Sequence, residues 1–313
     1  MRRRAFLGSV AVLGVAAAAR AQTYPARPIR LIIPFAPEGA ADMSGRLLVE
    51  RLGGSLPMQV ENMPGQGGVA ASEYVARQPP DGYTLLWATN ATMITGPIFS
   101  RMPYDPLASF TPITLVAFMK TVLVVNPALQ ARDFGELLAL LKASPGRYRY
   151  AHAGAGSHSQ LTGRLFSQQT QLSLRDNGYR GVAAALDSVA GGQSDLMFEV
   201  PVISRNAVSE GRVRPLATMA LKRVPEFPAV PTTVELGFPN LTSYTWAGLV
   251  GPAGIKPDVV EAVNRGVRGV LGDSETQIAF SRYGLQLEAS APQEFQRLID
   301  VEYHKWLHVI TAG

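Results

Sequence analysis

The chain contains no cysteine, and this absence excludes several kinds of chemistry at once. Without a thiol there is no disulfide, no thiolate metal ligand and no cysteine nucleophile. Stability must therefore come from hydrophobic burial. The chain has 313 residues, 47% of them hydrophobic, which suffices for one large or two medium domains with proper cores.

An excess of charge is also lacking once the N-terminus is set aside. Residues 1–21 contain three consecutive arginines, an apolar stretch from Ala5 to Ala19, and the small-x-small site Ala19-Arg20-Ala21. We predict a secretory signal peptide over 1–21, cleaved near Ala21. Its removal takes away four arginines, so 29 − 4 = 25 basic residues face 24 acidic ones. The resulting net charge of about +1 gives no reason to expect a nucleic-acid or anionic-membrane partner.

The signal leaves two export routes open. The segment Arg3–Leu7 matches the core of a twin-arginine signal, which would export the folded protein, whereas an ordinary Sec signal with an arginine-rich start is the alternative. Beyond the signal, long hydrophobic runs are lacking, since no stretch reaches 18 apolar residues. We therefore expect no membrane span in the mature form.

What the mature chain does contain is an alternation of short apolar strands and helical segments. The stretches 29–35 and 83–89 are strand-like, and 42–56 has helical spacing of its apolar residues. This rhythm predicts an α/β fold with mostly parallel sheets and helices on both faces. Extended stretches near 120–127 and 242–250 each join two blocks, which indicates two α/β units with a return to the first.

Two further helices are predicted with specific local signals. Asp133 is a candidate N-cap for a helix within 133–146, which ends in a Pro-Gly stop. The apolar residues of 292–308 recur at helical spacing, which predicts a C-terminal amphipathic helix.

Three strand-to-helix loops are candidate ligand loops: FAPEGAAD (35–42), the polar loop ATNATM (88–93) and HAGAGSHSQ (152–160). In open α/β sheets ligands lie beyond the carboxyl ends of strands, where helix N-termini point N–H groups at anions. Ser157 or Ser159 could cap the helix that follows the third loop or donate to a ligand. Taken singly, each loop has an alternative interpretation as an ordinary tight turn.

Catalysis and metal binding receive little support. Ser157 and His158 are sequence neighbours that rarely face one another, and the G-x-S-x-G elbow is missing. A secreted serine hydrolase that uses Ser157 with a distant histidine stays as an alternative. His304 and His308 have metal-compatible spacing but lack the H-E-x-x-H glutamate. We expect no catalytic residue, no metal and no cofactor.

Two features lie in the middle of the chain. Tyr179-Arg180-Gly181 ends a predicted strand and opens a small-residue helix, and Glu199 lies at the carboxyl end of another strand. A charge in such a place is either at a ligand face or solvated. Trp87 and Trp246 lie in predicted strands, where a core position is expected before a stacking one.

The motifs occur in an order that carries a family resemblance. They include PFAPEGAADMSGRLL, VENMPGQGGVAASEYVARQPPDGYTLLWAT, YAHAGAGSHSQLTGRLF, YRGVAAALDSVAGGQSDLMF and WAGLVGPAGIKPDVV. Together they resemble the periplasmic solute receptors of tripartite tricarboxylate transporters, the Bug-type receptors, over the whole mature chain.

The resemblance implies a periplasmic, two-lobed type II binding protein, a Venus flytrap with a ligand cleft between its lobes. We assign 22–124 plus 245–313 to lobe 1 and 125–244 to lobe 2. The implied ligand is a small organic acid or an amino-acid-like solute, and the implied partners are two integral membrane transporter subunits, with the receptor a monomer. A ligand sensor that serves a signalling partner is the alternative.

In this family two loops hold a ligand carboxylate, and they match 35–42 and 154–158 here, with Tyr179-Arg180-Gly181 beside the cleft. The predicted ligand-binding residues are Phe35, Ala36, Pro37, Glu38, Gly39, Ala40, Asp42, Asn90, Thr92, Gly154, Ala155, Gly156, Ser157, Tyr179, Arg180 and Glu199. Asp42 is expected first to cap or brace the helix that follows.

The sequence departs from the family pattern at two positions. The first loop usually reads F-A-P-G-G, but Glu38 replaces the first of those glycines, and Asn177-Gly178 stands where Val-Pro is usual. A cleft-facing Glu38 about 5 Å from a ligand carboxylate would repel it by roughly 3 kcal/mol at an effective dielectric of about 20. A solvent-facing Glu38 would only complement the helix dipole. Both orientations stay open at this point.

Overall fold

The computed structural model describes residues 24–99 and 101–311, so the predicted signal peptide lies outside the described residues. The strands are β1 (Ile29–Ile33), β2 (Met58–Asn62), β3 (Thr84–Thr89), β4 (Phe110–Lys120), β5 (Val122–Val125), β6 (Arg149–His152), β7 (Arg175–Gly178), β8 (Leu196–Glu199), β9 (Arg214–Thr218), β10 (Tyr244–Pro252) and β11 (Gln286–Leu287). The helices are α1 (Ala40–Leu52), α2 (Val69–Ala76), α3 (Gly96–Phe99), α4 (Phe134–Ala143), α5 (His158–Thr170), α6 (Val182–Ala190), α7 (Pro201–Ser209), α8 (Pro257–Leu271), α9 (Ser274–Ser281) and α10 (Pro292–Thr311).

The strands form two sheets with helices, so the predicted α/β fold is confirmed. The first sheet has the order β11-β4-β10-β3-β1-β2, and the second has the order β7-β6-β8-β5-β9. In each sheet one strand, β1 or β6, has a parallel neighbour on both sides. The prediction of mostly parallel sheets was wrong. The strands β5 and β10 are each antiparallel to both of their neighbours, and they are the first strands after the two crossings between the sheets.

The chain passes between the sheets at two adjacent places. Thr121 alone separates β4 of the first sheet from β5 of the second, and Ser243 directly precedes β10 on the return. Backbone hydrogen bonds link these crossings: Thr121 N–H donates to the Ser243 carbonyl (3.2 Å), and Ser243 N–H donates to the Met219 carbonyl (2.9 Å). The two sheets are therefore joined by a narrow hydrogen-bonded hinge.

Local sequence signals account for several element ends. Asp133 was predicted to cap α4, and its carboxylate accepts from the Glu136 N–H (2.8 Å). The predicted C-terminal amphipathic helix is confirmed as α10, which buries Phe295, Ile299 and Trp306. The polar loop predicted after β3 was wrong in its conformation, because Ala91–Thr95 form a π-helical turn that continues into α3. Such turns are rare in proteins overall, and those that occur are often at functional sites.

Hydrophobic burial joins the two sheets as well. One cluster contains core residues of both, and α10 contributes Phe295 and Trp306 to it. Phe295 packs edge-on against Trp246 in β10, with ring centroids 5.2 Å apart. Trp87 and Trp246 are buried, as the sequence predicted. Both also border the cavity described next, which the prediction did not include.

Candidate ligand-binding cleft

A cavity of about 440 Å³ lies between the two sheets. Its walls come from both: the start of α1, the ends of β3 and β4 and the start of β10 on one side, and the start of α5 on the other. The lining residues are Phe35, Gly39, Ala40, Ala41, Ser44, Trp87, Thr89, Asn90, Ala91, Thr95, Met119, Gly156, Ser157, His158, Thr245, Trp246, Ala247, Tyr283 and Leu285.

The first wall is the N-terminus of α1. The helix begins at Ala40, two residues before the predicted start, so that Gly39, Ala40 and Ala41 present its first turn to the cavity. The first N–H groups of a helix have no partner within it and carry its positive dipole end. This end of the cavity therefore favours an anion without using a charged side chain.

Asp42 stabilises the loop before this helix. Its carboxylate is almost fully buried and accepts from the Glu38 N–H (2.9 Å), from Arg46 Nε (3.0 Å) and from Asn62 Nδ2 (2.8 Å). Burial alone would raise the pKa of Asp42, but these hydrogen bonds outweigh it and lower the pKa. Asp42 thus braces α1, as the sequence analysis expected first, and it does not line the cavity.

The second wall is the loop that precedes α5. Ser157 is the N-cap, and its hydroxyl accepts from the Gln160 N–H (3.3 Å). Gly156 has φ +75°, a conformation that favours glycine, and its N–H donates to Gln160 Oε1 (2.8 Å). The Gly156 and Gln160 amides are therefore engaged within the loop, and the N–H groups of His158 and Ser159 at the start of α5 are the ones that remain for a ligand.

A hydrogen-bond network around His152 and Asp176 supports this loop from outside the cavity. His152 Nε2 hydrogen-bonds Asp176 Oδ1, while His152 Nδ1 lies 2.9 Å from the Gly154 carbonyl oxygen. The other Asp176 oxygen accepts from Gln160 Nε2 (2.8 Å). Hydrogen bonds from Gln160 and His152 outweigh the effect of burial and lower the pKa of Asp176. The network fixes the loop shape through side chains that lie outside the cavity.

His158 connects the cavity to the hinge. Its Nε2 lies 2.8 Å from Thr121 Oγ1 and 3.3 Å from Ser243 Oγ, the two crossing residues. Burial, with the nearby Lys305 charge, lowers the pKa of His158 to about 3, so the ring is neutral at physiological pH. In the part of the chain that the structure describes, no Asp, Glu, Lys or Arg lines this cavity.

The predicted site residues fall into three groups. Phe35, Gly39, Ala40, Asn90, Gly156 and Ser157 line the cavity. Ala36, Pro37, Glu38 and Arg180 are exposed outside it. The remaining residues are part of the supporting structure or lie beside the cavity: Asp42, Thr92, Gly154, Ala155, Tyr179 and Glu199.

Two of these supporting residues have their polar groups engaged elsewhere. The Thr92 hydroxyl lies 3.0 Å from the Thr89 N–H that donates to it and 3.1 Å from the Thr89 carbonyl. Glu199 accepts from the Val200 N–H (2.8 Å), and burial raises the pKa of Glu199 to about 7. Thr92 therefore shapes the π-helical turn, and Glu199 ends β8 with its carboxylate bound to the backbone just before α7.

Residues that the sequence did not indicate also border the cleft. A second cavity of about 490 Å³ shares Ala91, Thr95 and Gly156 with the first, and Arg101 and Ala155 line it. Arg101 follows the π-helical turn, and no sequence signal placed it there. The sequence did contain a signal for Trp87: it lies two residues before Thr89 on the same face of β3, next to the predicted loop at 88–93.

The hydrolase reading finds no support in the geometry. Ser157 Oγ lies 3.2 Å from Ser159 Oγ, and the Nε2 of the adjacent His158 is occupied at the hinge. Within residues 24–99 and 101–311 there is no group of three His, Cys, Asp or Glu side chains arranged to hold a metal ion. Over the same residues no helix combines the length and apolarity needed to cross a membrane.

Two α/β units joined by a narrow hinge, with a cavity between helix N-termini from both, define a periplasmic solute-binding protein of the two-lobed kind. The family model of the tripartite tricarboxylate transporter family receptor (TctC) matches residues 46–313, and the chain belongs to this family. It is a family of periplasmic solute receptors and not of enzymes.

Individual relatives agree with this assignment. Protein BugT of Bordetella pertussis is 33% identical over 306 residues, which cover 96% of this chain and 94% of that protein. MatC of Rhodopseudomonas palustris, solved with bound malate, is similar with a TM-score of 0.72 and 28% identity, covering 92% of this chain and 100% of that one. An R. palustris protein solved with adipate has a TM-score of 0.75 and 29% identity, covering 92% and 97%.

Proposed function

We propose that this protein captures a small carboxylate-bearing solute in the cleft and delivers it to a tripartite tricarboxylate-type permease. The observation that carries the proposal is the cavity of about 440 Å³ into which the N-termini of α1 and α5 both open. Helix N-termini bind anions through free N–H groups and the helix dipole. The malate and adipate of the two similar proteins are carboxylates that fit this chemistry.

Closure of the two lobes is the proposed mechanism of capture. A ligand that contacts the start of α1 on one side and the start of α5 on the other gains most contacts when the lobes are together. Binding therefore favours the closed state by the difference in affinity between the two states. The hinge at Thr121 and Ser243 is where the chain would bend. The proposed lobe 2 therefore begins with β5 at Val122, three residues before the boundary predicted from the sequence, and ends before β10.

The ligand site is tested by placing a charge at the start of α1. Ala40 lines the cavity and is exposed, and a carboxylate is well tolerated in the first turn of a helix. Ala40→Asp puts a negative charge about 5 Å from a bound carboxylate, which at an effective dielectric near 20 costs about 3 kcal/mol. Ala40→Asn is the matched neutral control. We expect calorimetry with malate, adipate and benzoate to give at least one ligand.

For that ligand, Ala40→Asn should bind within fivefold of the wild type, and Ala40→Asp about a hundredfold more weakly. Equal affinities of the two variants would contradict the site, and failure of every carboxylate to bind would contradict the ligand class. Delivery rests on family membership. Uptake of the labelled ligand should stop in cells that lack the receptor and should not be restored by Ala40→Asp. Continued uptake would favour a sensing role.

A further inference from the structure

Several polar atoms of cavity-lining side chains are buried without a hydrogen-bond partner. Over the described residues these include Trp87 Nε1, Thr89 Oγ1, Asn90 Nδ2, Thr245 Oγ1 and Trp246 Nε1, and all five residues line the cavity. Buried polar groups in proteins are nearly always paired, because an unpaired one has lost its water without compensation. Such a concentration of exceptions in one place indicates a ligand that supplies the partners.

Strand pairing places three of these atoms on one face of the first sheet. Trp87 and Thr89 are two residues apart in β3, so their side chains share a face. Thr89 pairs directly with Ala247 in β10, which puts Thr245 on that face as well. Trp246 points to the opposite face, where it packs against Phe295. The cluster relevant to a ligand is therefore Trp87, Thr89 and Thr245, with Asn90 at the end of β3.

The chemistry of this cluster selects an acceptor. An indole N–H and an amide NH₂ can only donate, and the free atom of Asn90 is its nitrogen because its oxygen accepts from the backbone N–H of Trp246 (2.6 Å). The threonine hydroxyls can donate too. An acceptor that carried a full negative charge would be buried here without a counter-ion, since the lining residues contain no cation and His158 is neutral.

The remaining walls are largely apolar and include aromatic rings. Phe35, Met119, Tyr283 and Leu285 line the cavity together with the ring of Trp87. An aromatic or similarly flat body suits such walls.

We propose that the solute is a monocarboxylate with a flat apolar body and one uncharged hydrogen-bond acceptor, such as a carbonyl oxygen, opposite its carboxylate. Its carboxylate lies at the helix N-termini and its acceptor at Trp87, Asn90 and Thr245. The inference rests on the proposed function and narrows its ligand class.

Three probes of one shape test the acceptor: 4-acetylbenzoate, 4-isopropylbenzoate, which lacks the carbonyl, and terephthalate, which replaces it with a charge. Calorimetry on the mature wild-type protein should show 4-acetylbenzoate binding at least tenfold more tightly than either of the others. Equal or tighter binding of 4-isopropylbenzoate or terephthalate overturns the inference. So does binding of malate or adipate with no aromatic probe bound, a result that leaves the proposed function intact. No binding of any carboxylate removes both.

Thr245→Val provides an independent test, because it removes one unpaired hydroxyl with little change of shape. We expect a ligand-free melting temperature equal to or above that of the wild type and a preference for 4-acetylbenzoate over 4-isopropylbenzoate reduced at least threefold. Thr114→Val is the matched control in β4 of the same sheet, where the hydroxyl donates to the Leu115 carbonyl (2.8 Å), and its melting temperature should fall.

A melting temperature of Thr245→Val lowered as much as that of Thr114→Val, or an unchanged preference, contradicts the inference. Trp87→Phe removes the indole N–H and keeps an aromatic wall, so it should reduce the same preference if Thr245→Val proves difficult to produce. An unchanged preference in Trp87→Phe likewise counts against the proposal.

Discussion

Glu38 is the residue at which this chain differs most clearly from its family's loop pattern. Its φ is +66°, a left-handed conformation that glycine adopts freely and that strains a residue with a Cβ. The loop keeps this conformation because the Glu38 N–H donates to the buried Asp42 carboxylate. The side chain is exposed and does not line the cavity. Glu38 therefore affects the conformation of the loop backbone more than the binding of a ligand.

Glu38→Gly should consequently stabilise the protein and leave its ligand preference unchanged. Relief of the left-handed strain is worth about 1 kcal/mol, offset in part by the greater entropy of glycine in the unfolded chain. Urea unfolding measures the gain. Glu38→Gln is the control, since it removes the charge and keeps the strain, and its stability should match the wild type. A large rise in affinity for dicarboxylates in both variants would show that the carboxylate does face the cleft.

At the scale of an element, the N-terminus of α5 both stabilises the helix and borders the cavity. Ser157 caps the helix through the Gln160 N–H and also lines the cavity. The cap determines where the helix starts and hence which of its first N–H groups stay without a partner at the cavity. In α4, by contrast, Asp133 caps a helix whose start lies outside this cavity.

The pair of caps makes a controlled comparison. Ser157→Ala and Asp133→Ala should each lower the free energy of unfolding by about 1 kcal/mol, the usual cost of a lost N-cap. Only Ser157→Ala should also weaken ligand binding, by at least fivefold in calorimetry. Similar affinities for the two variants would mean that α5 supports the fold without contributing to the ligand site.

At the scale of the whole molecule, the two lobes touch across the cleft away from the hinge. A Cβ placed on Gly284, beside β11 of the first sheet, would lie 2.8 Å from the Cβ of Val202 in α7. The Phe99 ring of α3 lies 3.4 Å from a Cβ placed on Gly156. These contacts join elements of the two lobes at places other than the hinge.

Gly284→Ala should therefore hold the lobes apart. The added methyl group meets Val202 near its backbone, where the side chain cannot move away. Gly284 has φ +71° and Gly211 has φ +70° with nothing near its added Cβ, so Gly211→Ala is a control with the same strain. Both variants should lose about 1–2 kcal/mol of stability.

Only Gly284→Ala should bind ligand at least tenfold more weakly and keep a larger radius of gyration in X-ray scattering with ligand present. A compact, fully binding Gly284→Ala would show that closure does not need this contact.

The sequence by itself determined the α/β class, the family resemblance, the cap at Asp133 and the C-terminal helix, because hydrophobic period and capping chemistry act over a few neighbouring residues. It also indicated the loops at 35–42 and 152–160, since a strand followed by small residues and a helix is a local pattern.

Only the tertiary structure decided which of those residues reach the cavity. Trp87, Thr245 and Tyr283 are far apart in sequence and meet at the cleft because, after the second sheet is complete, β10 returns to pair with β3 and β11 pairs with β4. That long-range pairing also underlies three other features: the antiparallel pairing of β5 and β10, the π-helical turn and the unpaired polar atoms. Local preferences cannot encode it, because the free energy that fixes it comes from contacts made only in the folded chain.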